Sequence, residues 1–193
     1  AGDGSCYYSK RKTGGGLYKI RYTLSLKKDL SYSKHIHNLL RVINLNPYFA
    51  KNVPNGTIEV SLNSKNYMNY IKEFLIWDGK RSYSIKLKKP IEEYNEDFIR
   101  GFVRGLMSTD GFVEVSNVSC GVVSKGLIDN LKDIFDMYDL EYKYSIRKRE
   151  PKLRNLHLVR VYSKSLPAYL EIFGFSSYYK LKNIINKNGA ARI

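Results

Sequence analysis

The strongest constraint on the fold of this chain is an internal repeat. Two of the Asp-Gly dipeptides of the chain, at residues 3–4 and 110–111, each lead into the same order of apolar patterns. That order is strand, strand, helix, strand, strand, helix. A single Asp-Gly dipeptide is usually only a turn signal, but two in equivalent places favour an internal duplication. We therefore expect an α+β chain made of two similar halves, residues 1–90 and 91–193.

Alternating apolar residues predict the strands, and apolar residues three or four apart predict the helices. In the first half the predicted strands are 5–10, 17–26, 48–53 and 57–62, and the predicted helices are 33–43 and 66–76. In the second half the predicted strands are 112–115, 118–123, 141–149 and 156–162, and the helices are 96–110, 124–138 and 166–173.

The helix of the stretch "FIRGFVRGLMSTDGFV" ends on an acid. Asn95 is a good N-cap, and Gly111 is predicted to end the helix in the left-handed conformation. Asp110 then lies in the last turn, where backbone carbonyls already make the local potential negative. A carboxylate is unfavourable there, so we expect a positive group beside it.

The charge balance favours a polyanionic partner. The 193 residues include 33 Lys and Arg against 18 Asp and Glu, a net charge of +15 that is spread along the chain. An ordinary basic protein is the plain alternative, but this excess favours nucleic acid. No apolar run approaches the ~20 residues of a membrane span, and no signal peptide is evident. We expect no membrane partner and an intracellular location, in the cytoplasm or nucleoid or in an organelle.

The cysteines and histidines do not indicate a metal site. Cys6 and Cys120 are the two cysteines and belong to no CxxC pair, which predicts reduced, structural thiols. His35 and His37 are two residues apart on a predicted helix, so they point to different faces. Zinc binding by these histidines is not expected.

One predicted strand in each half has a basic face. In "GLYKIRYTLS" the polar residues Lys19 to Ser25 alternate with apolar ones, and in the second half Lys143 to Arg149 do the same. An ordinary solvated sheet face is the alternative, but such a ribbon fits the DNA major groove. The glycine-rich segment that contains Lys10 suits phosphate contacts instead. The candidate DNA-contacting residues are Lys10, Arg11, Lys12, Lys19, Arg21, Thr23, Ser25, Lys27, Lys125, Lys143, Ser145, Arg147, Arg149 and Arg154.

The stretch "GFVRGLMSTDG" resembles the helix motif of the LAGLIDADG homing endonucleases, and "AGDG" is similar to the tail of a first copy of that motif. The resemblance implies a duplicated αββαββα fold with two saddle-shaped antiparallel sheets and pseudo-two-fold symmetry. It also implies that the two motif helices pack against each other, and Gly101 and Gly105 would permit a close approach. A complete first motif would need most of a helix before Ala1.

The resemblance also implies a set of site residues. Asp3 and Asp110 would bind divalent metal, Mg²⁺ in this family, with Gly2 and Thr109 beside them. Hard carboxylate oxygens suit that ion.

Two lysines are implied as well. Lys88 in "IKLKK" and Lys182 in "YKLKN" match a basic residue of the family that polarises the phosphate or lowers the pKa of water. Contacts from surface lysines to the DNA backbone remain the alternative role for both. Ser124 and Lys125 could supply a further polar group, whereas Leu26 stands at the equivalent place in the first half. That difference predicts two active sites that are not equivalent.

We expect from these features a monomeric, magnesium-dependent, site-specific endonuclease of double-stranded DNA, encoded within an intron because no protein-splicing residues are evident. Two alternatives stay open. One is a maturase that binds its intron RNA, and the other is a DNA-binding regulator of the same fold that does not cleave.

Overall fold

The computed structural model describes residues 4–10, 16–76, 83–114, 116–150 and 153–190, with side chains to residue 186. The predicted site residues Gly2, Asp3, Arg11 and Lys12 lie outside these ranges. The described residues form two compact units, divided between Phe74 and Leu75. No helix of the described part of the chain is long and apolar enough to cross a membrane.

The first unit is one antiparallel sheet with two helices. Its strands are β1 (Gly4–Lys10), β2 (Gly16–Ser25), β3 (Tyr48–Asn52) and β4 (Thr57–Asn63), and its helices are α1 (Leu30–Val42) and α2 (Lys65–Phe74). The strand order is β1-β2-β4-β3. Its core is built from one face of β2 and β4 and from the helices that cover it, and consists of Ile20, Leu40, Val60, Leu62 and Met68.

The second unit contains a sheet of the same topology. Its strands are β5 (Leu75–Ile76), β6 (Lys86–Leu87), β7 (Gly111–Val113), β8 (Val118–Val122), β9 (Tyr142–Arg147) and β10 (Leu156–Val161). Its helices are α3 (Glu96–Thr109), α4 (Lys125–Met137), α5 (Leu166–Ile172) and α6 (Tyr178–Ala190). The main sheet has the order β7-β8-β10-β9, and β5 pairs with β6 in a small separate sheet.

The two main sheets confirm the predicted repeat. In each, the first two strands form a hairpin, and the fourth strand is inserted between the second and the third. By the order of its elements, the second repeat begins at residue 91. The second compact unit, in contrast, already begins at Leu75. The two differ because β5 and β6 belong to the second unit by packing, where Leu87 is buried in the large core.

Some predicted elements differ from the observed ones. The helix predicted over 66–76 ends at Phe74, because Leu75 and Ile76 pair with β6. Helix α6 was not predicted, since its sequence is mostly polar and Ile184 is the one fully buried residue among its described side chains. Gly111 is not left-handed as expected. Among described glycines only Gly56 and Gly174 have positive φ.

Candidate active site and nucleic-acid interface

Helix α3 is well defined at its start. The side chain of Asn95 accepts a hydrogen bond from the backbone N–H of Phe98 at 2.8 Å, as an N-cap does. Glu96 and Asp97 occupy the first turn, where the helix dipole favours negative charge. The buried side of the helix then carries the chain to its acidic end.

The end of α3 is compact because a glycine follows the aspartate. The backbone N–H of Asp110 donates to the carbonyl of Leu106 at 2.9 Å, and the Thr109 hydroxyl donates to the same carbonyl at 3.0 Å. A Cβ at Gly111 would overlap the carbonyl oxygen of Met107. Glycine is therefore required here for close backbone approach rather than for a left-handed turn.

The positive group expected at this helix end is Lys180. Its ammonium donates to the carbonyl oxygen of Met107 at 3.0 Å and to that of Thr109 at 2.9 Å. Both carbonyls are among the last of α3 and have no partner within the helix. The lysine therefore offsets the negative end of the helix dipole next to Asp110.

The segment before Lys180 is attached to α3 at two further points. Arg104 Nε donates to the carbonyl of Phe173 at 2.6 Å, and the Ser108 hydroxyl accepts from the N–H of Ser176 at 2.8 Å. Ser108 is almost fully buried, so its hydrogen bond is sheltered from water. These contacts determine where α6 begins and bring its first turn to the acidic end of α3.

A buried thiol lies close to both charges at this end of the helix. Cys120 of β8 pairs with Gly111 of β7 and is fully buried. Burial and, to a smaller extent, the charge of Asp110 raise the pKa of the Cys120 thiol to about 12, whereas the charge of Lys180 acts to lower it. The charges of Asp110 and Lys180 therefore both affect the pKa of this buried thiol.

The residues at this helix end fit a divalent cation. A carboxylate and main-chain carbonyls are hard oxygen ligands, and the ammonium of Lys180 already shows that the Thr109 carbonyl binds positive charge. Among the described residues, no group of three or more His, Cys, Asp or Glu could hold a metal ion. A metal here would therefore need further oxygens beyond Asp110 and the helix carbonyls.

The two predicted catalytic lysines lie away from these contacts. Lys182 is exposed on α6, and residues two apart on a helix point to nearly opposite sides, so it faces away from the side that bears Lys180. Lys88 is exposed just after β6. The resemblance pointed to the second lysine of "YKLKN", whereas the structure brings the first to the end of α3. The catalytic roles of Lys88 and Lys182 remain predictions.

Ser124 has a structural role. Its buried hydroxyl caps α4 by accepting from the N–H of Leu127 at 3.4 Å, and it donates to the carbonyl of Ile85. The neighbouring Lys125 is exposed and forms an ion pair with Asp129 at 2.6 Å. Of these two residues, only Lys125 presents a polar group to solvent.

The edge strand β9 of the main sheet in the second unit carries the predicted basic face. A shallow groove of about 360 Å³ crosses β9 and its neighbour β10. The groove is lined by Ser119, Lys143, Ser145, Ile146, Arg147, Leu158 and Arg160. Three of the predicted DNA-contacting residues thus share one concave surface.

Arg160 is part of this groove and was missed from the sequence. Its guanidinium lies 3.1 Å from the Glu114 carboxylate and 3.3 Å from the Ser119 hydroxyl. Two-residue alternation in "LHLVRV" places it on the solvent face, which was the available signal. Ile146 was expected on the core face, but its side chain is 51% exposed because it lies near the end of an edge strand.

Arg149 and Arg154 lie beyond the sheet. Arg149 Nε donates to the carbonyl of Arg154 at 2.7 Å, and the guanidinium of Arg154 stacks 4.1 Å from the ring centre of Tyr83. Arg154 and Lys125 line a second open groove of about 450 Å³ together with His157. Arg149 was predicted on the same strand face as Arg147, but β9 ends at Arg147.

The basic face of the first sheet is partly neutralised. Lys19 and Arg21 of β2 both contact Glu59 of β4, at 3.0 Å and 3.2 Å. Burial acts to raise the pKa of Glu59, but hydrogen bonds from Lys19 and Ser61 and the charge of Arg21 lower it overall. The remaining candidates of this unit that are exposed are Lys10, Thr23 and Lys27, and Ser25 is half-buried.

The fold resembles that of known DNA-cleaving proteins. The structure of I-DmoI in complex with DNA and Mn matches with a TM-score of 0.64 at 14% identity and covers 92% of both chains. A complex of I-DmoI with DNA and Ca gives a TM-score of 0.66 at 12% identity, covering 100% of this chain and 92% of that one. The chain has the LAGLIDADG homing-endonuclease fold.

Two further comparisons concern the LAGLIDADG domain itself. Residues 97–174, which lie in the second unit, match the model of the LAGLIDADG-like domain. The N-terminal LAGLIDADG domain of DUF199/WhiA matches with a TM-score of 0.54 at 15% identity, covering 80% of this chain and 72% of that one.

One curated relative is a much longer protein. The replication factor C small subunit of Methanocaldococcus jannaschii is 25% identical over 132 residues, which are 67% of this chain. The chain matches 7% of the length of that protein.

Proposed function

We propose that this protein is a site-specific endonuclease of double-stranded DNA, of the homing type, that hydrolyses phosphodiester bonds with a divalent metal. It acts as a monomer on a long asymmetric target and is encoded within an intron. The observation that carries the proposal is the acidic end of α3, where Asp110 directly follows Thr109, whose carbonyl already binds the ammonium of Lys180. The solved structures of I-DmoI with DNA and with Mn or Ca support the same reading.

Different residues are proposed to bind the metal and to contact the phosphate in such a reaction. Asp110 and the carbonyl of Thr109, with Asp3 and Gly2 from the first repeat, would hold the metal, which we propose to be Mg²⁺. Bound there, the metal activates water and stabilises charge on the phosphate. Lys88 and Lys182 are proposed to reach the phosphate from the surface, where an ammonium can stabilise developing negative charge.

The basic surfaces would hold and read the DNA. Lys143, Ser145 and Arg147 line the groove across β9 and β10, and side chains of this kind can contact base edges in a major groove. The exposed residues Lys10 and Lys27 suit phosphate contacts, which position a duplex without reading it. Intron RNA is proposed as an additional partner of these same surfaces.

A nicking assay tests this function directly. A plasmid library with random inserts is incubated with the protein, with and without Mg²⁺, and linear product is sequenced at its ends. Metal-dependent linearisation at one sequence is the expected result, and Asp110→Asn is the matched inactive control. Binding to one sequence without cleavage in any divalent metal would contradict the enzyme assignment.

That outcome defines the second candidate function, a DNA-binding regulator of the same fold. It is favoured by one observation, the similarity of the fold to the N-terminal LAGLIDADG domain of DUF199/WhiA. Selective binding to a structured intron RNA rather than to duplex DNA would instead favour a maturase.

A further inference from the structure

We propose that Lys180 is a built-in counter-cation of the metal site, which occupies the Thr109 carbonyl when no metal is present and yields it when a divalent ion binds. The inference rests on the proposed function, because it assumes that Asp110 binds a metal. It adds a residue that sets the affinity of that site. The resemblance pointed to Lys182 instead.

The first support is the geometry of the ammonium. Lys180 Nζ lies within hydrogen-bond distance of two carbonyl oxygens, those of Met107 and Thr109, in the last turn of α3. An ammonium has three donors and a compact charge, so it resembles a small cation in how it gathers oxygen ligands. The oxygens that hold it directly precede Asp110 in the chain.

The second support is that the position of the lysine is imposed by the fold. The Ser108 hydroxyl binds the N–H of Ser176, and Arg104 binds the carbonyl of Phe173, so the start of α6 is attached to α3. The backbone N–H groups of Lys180 and Leu181 both donate to the carbonyl of Ser177. Lys180 lies on this first turn and is half-buried.

The third support is electrostatic. The ammonium of Lys180 is hydrogen-bonded to the Thr109 carbonyl at 2.9 Å, and Asp110 is the next residue of the chain. A divalent ion held by Asp110 and the Thr109 carbonyl would be close to the ammonium and repelled by it. The hydrogen bond from Lys180 to Thr109 would also compete for that carbonyl oxygen.

Removing the charge of Lys180 should therefore strengthen metal binding although it weakens the helix end. The probe is Mn²⁺ alone, titrated into the full chain without DNA, with free Mn²⁺ measured by electron paramagnetic resonance. Lys180→Met should lower the Mn²⁺ dissociation constant about tenfold, the effect of roughly one unit charge at short range. A purely structural role would leave the affinity unchanged or reduce it.

Three other variants make the result specific. Lys180→Arg keeps the charge, so its Mn²⁺ affinity should stay near that of the wild type. Lys164→Met removes an exposed lysine of the same unit, one that pairs with Glu141, and should leave Mn²⁺ binding unchanged. If Lys180→Met does not fold, as judged by circular dichroism, Lys180→Gln decides, because its amide can still donate to one carbonyl without carrying a charge.

The outcomes separate this inference from the function on which it rests. Tighter Mn²⁺ binding in the uncharged Lys180 variants, with weaker binding in Asp110→Asn, is the expected pattern. Weaker binding in Asp110→Asn but equal or weaker binding in the uncharged Lys180 variants overturns the role of Lys180 alone. Equal Mn²⁺ binding by the wild type and Asp110→Asn overturns the metal role of Asp110, and the inference falls with it.

Discussion

A side chain on Gly111 would overlap the carbonyl oxygen of Met107, the same oxygen that accepts a hydrogen bond from Lys180. Gly111→Ala should therefore destabilise the protein by about 1–3 kcal/mol, the usual cost of forcing extra atoms into a packed site. Gly101→Ala is the matched control, since a Cβ there meets nothing within 4 Å and alanine is the better helix former. We expect it to stabilise by about 0.5–1 kcal/mol. Urea unfolding of both variants measures the difference, and a neutral Gly111→Ala would contradict the close approach.

Asp110→Asn should abolish double-strand cleavage while leaving DNA affinity within about tenfold of the wild type. The substitution removes a metal ligand but also removes a negative charge that repels phosphate, so the two effects on binding oppose each other. Cleavage is followed on supercoiled plasmid and binding by gel shift in Ca²⁺. Full double-strand cleavage by this variant would remove Asp110 from the catalytic set.

Affinity for DNA should fall steeply with salt if the basic sheet faces contact the phosphate backbone. Each neutralised phosphate releases about 0.9 of a counterion, so a plot of log affinity against log salt should have a slope of several units. Fluorescence anisotropy on a labelled duplex over a range of KCl concentrations measures it. A flat response would show that the +15 net charge serves another partner.

Arg147 and Lys10 should differ in what they contribute to DNA binding. Arg147→Ala should cost about 1–3 kcal/mol at the native site and relax preference at one or two base pairs, because a groove-facing arginine can read guanine. Lys10→Gln should weaken binding to all sequences alike. Arg21→Ala should have a smaller effect than Arg147→Ala, since Glu59 already pairs with Arg21.

Binding-site selection on each of these three variants, beside the wild type, makes the comparison. A change of sequence preference in Lys10→Gln without one in Arg147→Ala would reverse the assignment of which surface reads bases.

The free energy of unfolding should decrease above pH 9, in part because of Cys120. Its pKa is raised from 9.0 to about 12 in the folded state, so between these values the unfolded chain loses a proton that the folded chain keeps. The contribution is complete below about pH 9 and is lost as pH rises towards 12. Urea unfolding at pH 8 and pH 10.5 should show a smaller decrease for Cys120→Ala than for the wild type. Equal decreases in both proteins would argue that the thiol is not buried.

Local patterns in the sequence were sufficient for much of the fold. The repeated order of strands and helices predicted two sheets of the same topology, because alternation and three-to-four spacing record which side of each element is buried. The Asn95 cap and the acidic end of α3 could likewise be read from neighbouring residues, since a helix terminus is defined by hydrogen bonds within a few positions.

Contacts between distant parts of the chain were decided only by the tertiary structure. Lys180 rather than Lys182 closes the end of α3, because the links from Ser108 and Arg104 determine where α6 begins. Glu59 of β4 pairs with both Lys19 and Arg21 of β2. The sheet face that the sequence of β2 predicted to be basic is therefore partly neutralised by the neighbouring strand. Gly111 is required by the carbonyl of Met107, a clash that its Asp-Gly dipeptide does not reveal. These differences share one cause, which is that the sequence records the period of each element but not which side chains of separate elements meet.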